Sequence, residues 1–427
     1  MRSIILHIAF FAALIGFVHE AEAGTDFQQL IDQAEEGDVI HLSKGTYEGN
    51  FIIPKGITLI GDGNAVFKPK NPKEPVITVN GANHVTIQGI KVQTPGTGMV
   101  IKDSNDIKLS NLIMNGVFSG IDVYRTNGIA VEKTTIAGNG ENLGKKGNGI
   151  SFYDSSGITA KNNDIAHVQD GIYLENAKDI SVLKNKVENG RYGTHFMYSE
   201  DAEVRDNVYK KNVTGLMIMM TENVSLSRND ISYQDGFNGT GITLYEVKNI
   251  DIQNHTISGN RVAISVQKSD DTNISNNILQ MNQTAVEAIR SGGSQVKKNY
   301  FVGNLVNVRS DMNGIQLKEN YYDDYAGIDI DDDGIGDEPY VALQSFGQWM
   351  VRKPVYQYYV EAPSVVLLNQ IDQQTNKTSK QLLVDENPVT KFETDRGIQW
   401  KLYWPQFILG FILTIACIVI WRRSVLT

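Results

Sequence analysis

A glycine-led unit recurs every 22 residues through most of this 427-residue chain. Its steps are 22, 29, 22, 22, 22, 26, 22, 22 and 22 residues, and the two longer steps contain the loop-like segments 139–147 and 235–240. Insertions that leave a register intact are typical of solenoids. The units begin at Gly98, Gly120, Gly149, Gly171, Gly193, Gly215 and Gly241, and small or related residues continue them at Ala263, Ala285 and Asn307.

Apolar and polar residues alternate within each unit, as Ile172, Leu174, Ile180, Val182 and Val187 show for one of them. Alternation of period two predicts short strands that bury one face. Three such strands per unit, joined by tight turns, predict an all-β fold: a right-handed parallel β-helix, a three-sheet solenoid with coils of about 22 residues.

Asparagines mark one turn position of successive units and predict an internal hydrogen-bonded ladder, because asparagine tolerates left-handed backbone. They are Asn163, Asn185, Asn207, Asn229, Asn277 and Asn299, with His255 interrupting the row. At the other end of the fold, residues 27–35 have the pattern of an amphipathic N-terminal cap helix, because an open solenoid end must be covered.

Both ends of the chain carry membrane signals. Residues 1–23 have the layout of a signal peptide, with an uncleaved anchor as the alternative. Residues 402–421 predict a single transmembrane helix, followed by Arg422, Arg423 and a cytoplasmic tail at 422–427. These signals predict a single-pass protein of the cell membrane whose body is extracytoplasmic. The only cysteine, Cys417, lies in the span, which fits a body in an oxidising space.

Between these ends we predict four regions. They are an N-terminal cap with the first coils at 24–75, the repeats at 76–325, an acidic loop and C-terminal cap at 326–345, and a membrane-proximal segment with a linker at 346–401. The net charge of −10 argues against a nucleic-acid partner, because an anionic body repels phosphate.

Four side chains form a predicted block on two adjacent coils: His195, Met197, Met217 and Met219. We call these four residues the methionine block. Thioethers are soft ligands and imidazole is intermediate, so the set suits Cu(I). An adaptable protein-binding surface is the open alternative. The predicted border of the patch is Tyr173, Glu175 and Tyr245, with Met220 directly after the block.

A second candidate site follows the last coil. Asp329, Asp331, Asp333 and Asp337 occupy positions 1, 3, 5 and 9 of a calcium-type loop, with a glycine at position 6. Position 12 is Tyr340 instead of a bidentate glutamate. The loop predicts a structural Ca²⁺, and a solvated acidic turn is the alternative.

Glycan hydrolysis requires two carboxylates about 5–9.5 Å apart. In the predicted register, no outward acids lie opposite each other on neighbouring coils: Asp122 faces Ser151, and Glu203 lies between Ser181 and Ser225. The pattern therefore favours a protein that is not an enzyme. A membrane-anchored carbohydrate-binding or carbohydrate-modifying β-helix remains the alternative.

Three segments resemble the NosD family: 191–199 (RYGTHFMYS), 215–219 (GLMIM), and 322–327 (YDDYAG) leading into 333–340 (DGIGDEPY). The resemblance implies an extracytoplasmic β-helix protein that works with an ABC-type permease and ATPase. Such proteins help to mature nitrous oxide reductase by handling copper, with sulfur as a second cargo, for its copper–sulfide centre.

The resemblance also bears on individual residues of the block. It implies that His195, Met197 and Met219 lie on matching motif positions, whereas Met217 and Met220 stand where a small residue and a tyrosine are expected. Transient Cu(I) binding and transfer to the apo reductase is the resulting hypothesis. The predicted membrane span is a departure from the many soluble relatives.

Overall fold

The computed structural model describes residues 17–24, 26–140, 142–234, 236, 238–311, 314–343, 353–359, 362–375 and 383–391. Within these ranges the chain winds as a parallel β-helix, and the predicted all-β solenoid is confirmed. One 12-stranded sheet forms the face that we call the first face. Its strands are β4 (Phe51–Ile53), β6 (Ile77–Asn80), β8 (Thr97–Lys102), β11 (Ser119–Tyr124), β14 (Ile150–Tyr153), β17 (Asp170–Glu175), β20 (Tyr192–Met197), β23 (Thr214–Met219), β26 (Thr240–Tyr245), β29 (Val262–Gln267), β32 (Thr284–Ile289) and β35 (Val306–Ser310).

A 27-stranded sheet supplies the other two faces, which two long strands near the N-terminus join: β5 (Thr58–Lys68) and β7 (Thr86–Gln93). The strands of the second face are β9 (Asn105–Ser110), β12 (Asn127–Glu132), β15 (Ser156–Lys161), β18 (Lys178–Leu183), β21 (Glu200–Arg205), β24 (Glu222–Ser227), β27 (Lys248–Gln253), β30 (Asp270–Ser275), β33 (Ser294–Lys297) and β36 (Ile315–Lys318). Those of the third face are β10 (Ile113–Val117), β13 (Thr135–Gly138), β16 (Asp164–Ala166), β19 (Lys186–Glu188), β22 (Val208–Lys210), β25 (Asp230–Ser232), β28 (Thr256–Ser258), β31 (Ile278–Gln280), β34 (Tyr300–Val302) and β37 (Tyr321–Tyr322).

Inward side chains fill the lumen with stacked apolar residues, for example Ile172, Leu174, Phe196 and Ile218, which are all fully buried. Burial of each such side chain contributes roughly 1.5–3 kcal/mol. The leading glycines are needed where coils approach closely: a Cβ on Gly193 would lie 2.3 Å from Tyr209 and 2.4 Å from the carbonyl oxygen of Gly215.

The predicted asparagine ladder is present and continuous, but the left-handed residue is the one before each ladder position, such as Lys184 at φ 54° and Asp206 at φ 59°. Between successive asparagines, the amide oxygen accepts from the backbone N–H and the side-chain amide of the asparagine one coil earlier, as Asn207 does for Asn185. His255 keeps the row connected, because Asn229 N–H donates to its Nδ1 at 3.0 Å. A second ladder was not predicted from the sequence, and it consists of Asn212, Gln234, Asn260, Asn282 and Asn304.

At the N-terminal end, helix α1 (Phe27–Gln33) is two residues shorter than predicted and packs Phe27 against aromatic rings of the first coils. Strand β1 (Val18–Ala21) pairs in parallel with β2 (Val39–Leu42) and lies within the predicted signal peptide, most of which falls outside the described residues. Strand β3 (Gly45–Glu48) pairs with the end of β5. The signal peptide stays a prediction.

At the C-terminal end, the chain returns to the last coils. Strand β39 (Leu383–Asp385) pairs with β36 and with β38 (Tyr340–Leu343). The fully buried Asp385 accepts hydrogen bonds from the backbone and side-chain amides of Asn320, so it ends the asparagine ladder.

The remaining elements are helix α2 (Pro363–Thr375) and two 3₁₀ helices, Leu143–Lys145 and Pro354–Tyr359. On α2, Val365 is buried and Leu367 is 58% exposed. No helix in the described part of the chain combines the length and apolar character needed to cross a membrane. The predicted transmembrane helix at 402–421 and the tail at 422–427 lie outside the described residues.

Candidate metal centre on the first face

The methionine block is assembled by two neighbouring strands of the first face. Strands β20 and β23 pair in register, with His195 opposite Met217 and Met197 opposite Met219. Neighbouring strands lie about 4.8 Å apart, so this register brings the imidazole and the three thioethers into one patch.

The four side chains lie on the outside of the coil because their neighbours point into the lumen. Phe196 is fully buried in the core, and the hydroxyl of Thr194 bonds to Tyr209 Oη inside the coil at 2.9 Å. His195, one position away from each, therefore faces outward. It is nevertheless only 5% exposed, whereas Met197, Met217 and Met219 are half-buried.

A buried carboxylate orients His195. Its Nδ1 lies 2.9 Å from Oδ2 of Asp170, and Arg191 binds both oxygens of the same carboxylate, Nε to Oδ1 at 2.8 Å and Nη2 to Oδ2 at 2.7 Å. Burial raises the pKa of Asp170, but the hydrogen bonds from His195 and Arg191 outweigh it and leave the pKa below its usual value. An ionised carboxylate only accepts, so Nδ1 carries the hydrogen.

In the neutral ring, this arrangement leaves the other nitrogen, Nε2, with a lone pair. His195 Nε2 is buried and has no hydrogen-bond partner among the described residues. A buried acceptor without a partner costs about 1–3 kcal/mol. A carboxylate on one ring nitrogen and a free lone pair on the other is the arrangement that orients histidine ligands in metal sites.

Aromatic rings enclose the imidazole. The rings of Tyr173 and Tyr192 pack edge-on against His195, with centroids at 5.0 and 4.9 Å. The Tyr173 hydroxyl donates to Glu175 Oε2 at 2.7 Å and lies 3.4 Å from the Met197 sulfur. Burial, and then the hydrogen bond to Glu175, raises the pKa of Tyr173. The predicted neighbours Tyr173 and Glu175 therefore contact the block directly.

The other two predicted neighbours have different surroundings. Tyr245 lies opposite Met219, and its hydroxyl accepts from Lys268 Nζ at 2.6 Å. Met220 takes a left-handed turn conformation, φ 47°, and lines a surface groove with Tyr198 and Glu246 between the first and second faces. Met220 thus belongs to the turn and not to the outer face of β23.

Tyrosines continue the first face on the N-terminal side of the block. Tyr124 stacks on Tyr153 with ring centroids 4.8 Å apart, and the ring centroids of Tyr153 and Tyr173 are 5.5 Å apart. Burial raises the pKa of Tyr124 to about 12 and also raises the pKa of Asp122, whose carboxylate accepts from Ser119.

The expectation about outward acids needs a correction on the second face. Strands β21 and β24 place Glu200 directly opposite Glu222, at the beginnings of both strands. Both residues adjoin the turn before their strand, so they lie outside the outward strand positions that the repeat pattern predicts. Glu200 forms an ion pair with Lys178 at 2.9 Å. Glu203 has the neutral neighbours Ser181 and Ser225 that were expected, and Asp251 likewise lies between Ser225 and Asn273.

The acidic loop brings three of its four predicted ligands together. Carboxylate oxygens of Asp329, Asp331 and Asp333 lie within 4.8 Å of one another. Asp329 also accepts from the backbone N–H of Asp333 and Gly334. Asp337 instead accepts from the Ile330 N–H at 2.6 Å, so its carboxylate holds the loop closed.

Asp170 and Arg191 are the site residues that sequence reasoning missed. The position before each leading glycine holds Asp170 on β17 and Tyr192 on β20, which pair directly. Applied to the position before each glycine, the same 22-residue register predicts that Asp170 lies beside Tyr192 and near Arg191.

Solved structures with the same architecture differ widely in sequence. The surface adhesin PfbA of Streptococcus pneumoniae has a TM-score of 0.53 at 13% identity, covering 75% of this chain and 92% of the adhesin. A polygalacturonase from Erwinia carotovora has a TM-score of 0.50 at 14% identity, covering 71% and 97%. At such identities these likenesses establish the fold alone.

A cell surface glycoprotein of Methanothermus fervidus is 26% identical over 116 residues, which is 26% of this chain and 19% of the glycoprotein, so the match spans a small part of that relative. Residues 132–330, which contain the whole methionine block with Asp170 and Arg191, match the model of a family described as periplasmic copper-binding protein (NosD). This match, over slightly less than half of the chain, confirms the resemblance to that family that the segments 191–199, 215–219 and 322–327 predicted.

Proposed function

We propose that this chain is an extracytoplasmic accessory protein that carries Cu(I) for the maturation of nitrous oxide reductase. The observation that supports it best is the β20–β23 register, which sets His195 and three thioethers side by side within the family-matched region. The ion is cargo: His195 Nε2 and the sulfurs of Met197, Met217 and Met219 are its ligands.

The donor set fits a soft monovalent ion. Three thioethers and one neutral imidazole carry no formal charge, and soft sulfur donors favour Cu(I) over hard cations. The buried Nε2 without a partner gains a ligand bond when the ion binds, so its desolvation is offset only in the loaded state. Half-buried methionines let an incoming protein reach the ion and exchange ligands with it.

The similarity to the NosD family over residues 132–330 supports a wider role. We infer that the ion passes to the apo reductase for its copper–sulfide centre, with an ABC-type permease and ATPase changing the pose of the β-helix. Sulfur is a second candidate cargo. In this proposal the segment at 402–421 anchors the protein as a single-pass protein of the cell membrane, and the β-helix lies outside.

The binding test is anaerobic titration of Cu(I) into the full-length chain. We expect one tight site in the wild type and at least a tenfold loss of affinity in Met197→Ala/Met219→Ala, because each methionine removed is a lost ligand, and tenfold corresponds to about 1.4 kcal/mol. The matched control is Met281→Ala, because Met281 is 61% exposed and lies just after β31 on the third face.

Equal affinity in the wild type and the double variant would remove the proposed site. Binding that is lost equally in Met281→Ala would point to general damage instead of ligand loss.

The cellular test is deletion of the gene followed by metal analysis of the secreted reductase. We expect a reductase deficient in copper at the copper–sulfide centre, restored by the wild-type gene and not by the double methionine variant. Restoration by the double variant would mean that the chain acts as a partner surface without carrying an ion. Normal reductase after deletion would contradict the role and favour the carbohydrate alternative.

A further inference from the structure

Arg191 and Asp170 form an ion pair directly behind the imidazole of the candidate copper site. Asp170 is fully buried, and Arg191 contacts both of its oxygens in a bidentate arrangement. The guanidinium also lies over the ring of Tyr192, with its central carbon 4.5 Å from the centroid. The arginine is thus held in place from two sides.

The pair determines the charge that an ion on His195 Nε2 experiences. Without Arg191, the Asp170 carboxylate would add a full negative charge behind the ring. With Arg191 bound on both oxygens, that charge is compensated while the hydrogen bond to Nδ1 is kept. Among the described residues that contact the patch, Glu175 is also acidic; its carboxylate accepts from the Tyr173 hydroxyl and keeps its charge whether or not Arg191 is present.

We propose that Arg191 is a specificity-determining positioning residue: by neutralising Asp170, it removes one negative charge from the surroundings of the methionine block and so disfavours divalent ions relative to Cu(I). This inference rests on the proposed function and deepens it. A partly buried site with one negative charge fewer loses part of the attraction that offsets the desolvation of a divalent ion, and that desolvation is much larger than for a monovalent ion.

The size of the effect follows from Coulomb attraction. An uncompensated charge at Asp170 attracts a divalent ion twice as strongly as a monovalent ion at the same place. With an effective dielectric constant near 20 and a separation of several ångströms, this extra attraction raises the affinity for a divalent ion roughly tenfold or more relative to the affinity for a monovalent ion. Arg191 therefore acts on the ratio of Zn(II) to Cu(I) affinity more than on Cu(I) affinity itself.

The experiment measures Cu(I) and Zn(II) affinities of the full-length chain by competition with chromophoric chelators. We expect Arg191→Gln to raise the Zn(II)-to-Cu(I) affinity ratio roughly tenfold or more. Arg191→Lys keeps the positive charge and is expected to keep the wild-type ratio. The matched control is Arg205→Gln on the second face, which removes an arginine that pairs with Glu203 and Asp206.

A second comparison separates charge from damage to the fold. Asp170→Asn alone leaves Arg191 uncompensated and is expected to lower the ratio below the wild-type value. In the double variant Asp170→Asn/Arg191→Gln the two positions together again carry no net charge, so the variant is expected to restore the wild-type affinity ratio. A structural role alone would not produce shifts of opposite sign that cancel in the double variant.

Outcomes distinguish this inference from the proposed function. An unchanged ratio in Arg191→Gln and in Asp170→Asn, with Cu(I) still bound by the wild type, overturns the inference and leaves the copper role standing. Absence of Cu(I) binding by the wild type overturns both.

Discussion

At the scale of single residues, the asparagine ladder shows how much one buried amide contributes. Asn207 accepts from the Asn185 backbone and side chain, donates to the Val182 carbonyl, and donates its backbone N–H to Asn229. Each of these groups is shielded from water, so a lost partner is not replaced by solvent.

Replacement of Asn207 by alanine is expected to lower the free energy of unfolding by about 2–4 kcal/mol, because buried groups on Asn185 and Val182 lose their partners. Denaturant unfolding measures the change. Asn105→Ala is the control, since Asn105 is exposed, is outside the left-handed region and donates its side-chain amide to Asn83 at the surface. A comparable loss in both variants would contradict the ladder argument.

Asp38 provides a residue-scale prediction of pH dependence. Its nearly fully buried carboxylate accepts from the Glu35 N–H at 2.8 Å, the Phe17 N–H at 2.7 Å and His19 Nε2 at 2.9 Å. The backbone hydrogen bond from Glu35 contributes most to a pKa that lies below the usual 3.8.

A carboxylate with a lowered folded-state pKa stabilises the protein above its unfolded pKa, and this stability is lost as pH falls through the folded pKa. We therefore expect the unprocessed wild-type chain, which keeps Phe17 and His19, to lose stability below about pH 4 and Asp38→Asn to show a weaker acid dependence, measured as melting temperature from pH 6 to pH 2. Asp179→Asn, at an exposed position near the start of β18, is expected to behave as the wild type.

At the scale of elements, β39 closes the last coils. Its Asp385 accepts from Glu319 and Asn320 N–H, from the Asn320 amide and from Tyr322 Oη. Asp385→Ala leaves these donors unsatisfied. We therefore expect hydrogen exchange in the variant to be faster than in the wild type in β36 and β37, and unchanged in β20 and β23. Uniform exchange changes along the whole chain would show that Asp385 does not act locally.

The acidic loop gives the second prediction for an element. If Asp329, Asp331 and Asp333 bind Ca²⁺, saturating calcium is expected to raise the melting temperature. At a calcium concentration of one hundred times the dissociation constant, binding adds about 2.7 kcal/mol to the free energy of unfolding. Mg²⁺ at the same concentration is the control, and Asp331→Asn is expected to reduce the shift. No shift with calcium would leave the loop as a solvated turn.

At the scale of the whole molecule, a solenoid is a stack of nearest-neighbour contacts, so coils are removable units. Deletion of 263–284 joins Val262 to Ala285 and preserves the register. We expect a folded chain with unchanged Cu(I) affinity, because β20 and β23 still pair.

Deletion of 193–214 joins Tyr192 to Gly215 and is also expected to leave a folded chain, but without His195 and Met197. Circular dichroism and Cu(I) titration of the two deletions measure fold and site separately. Cu(I) binding retained in the second deletion would contradict the site, and loss of fold in both would contradict the modular description.

The sequence by itself determined the solenoid, the asparagine ladder and the pairing of His195 with Met217. These depend on two periods, 22 residues per coil and two residues per strand face, and both can be counted along the chain. Only the tertiary structure decided that His195 is buried, that Asp170 and Arg191 stand behind it, and that Met220 belongs to a turn. The 22-residue register places Asp170 beside Tyr192, but burial, ring orientation and ion pairing depend on how the side chains pack across coils.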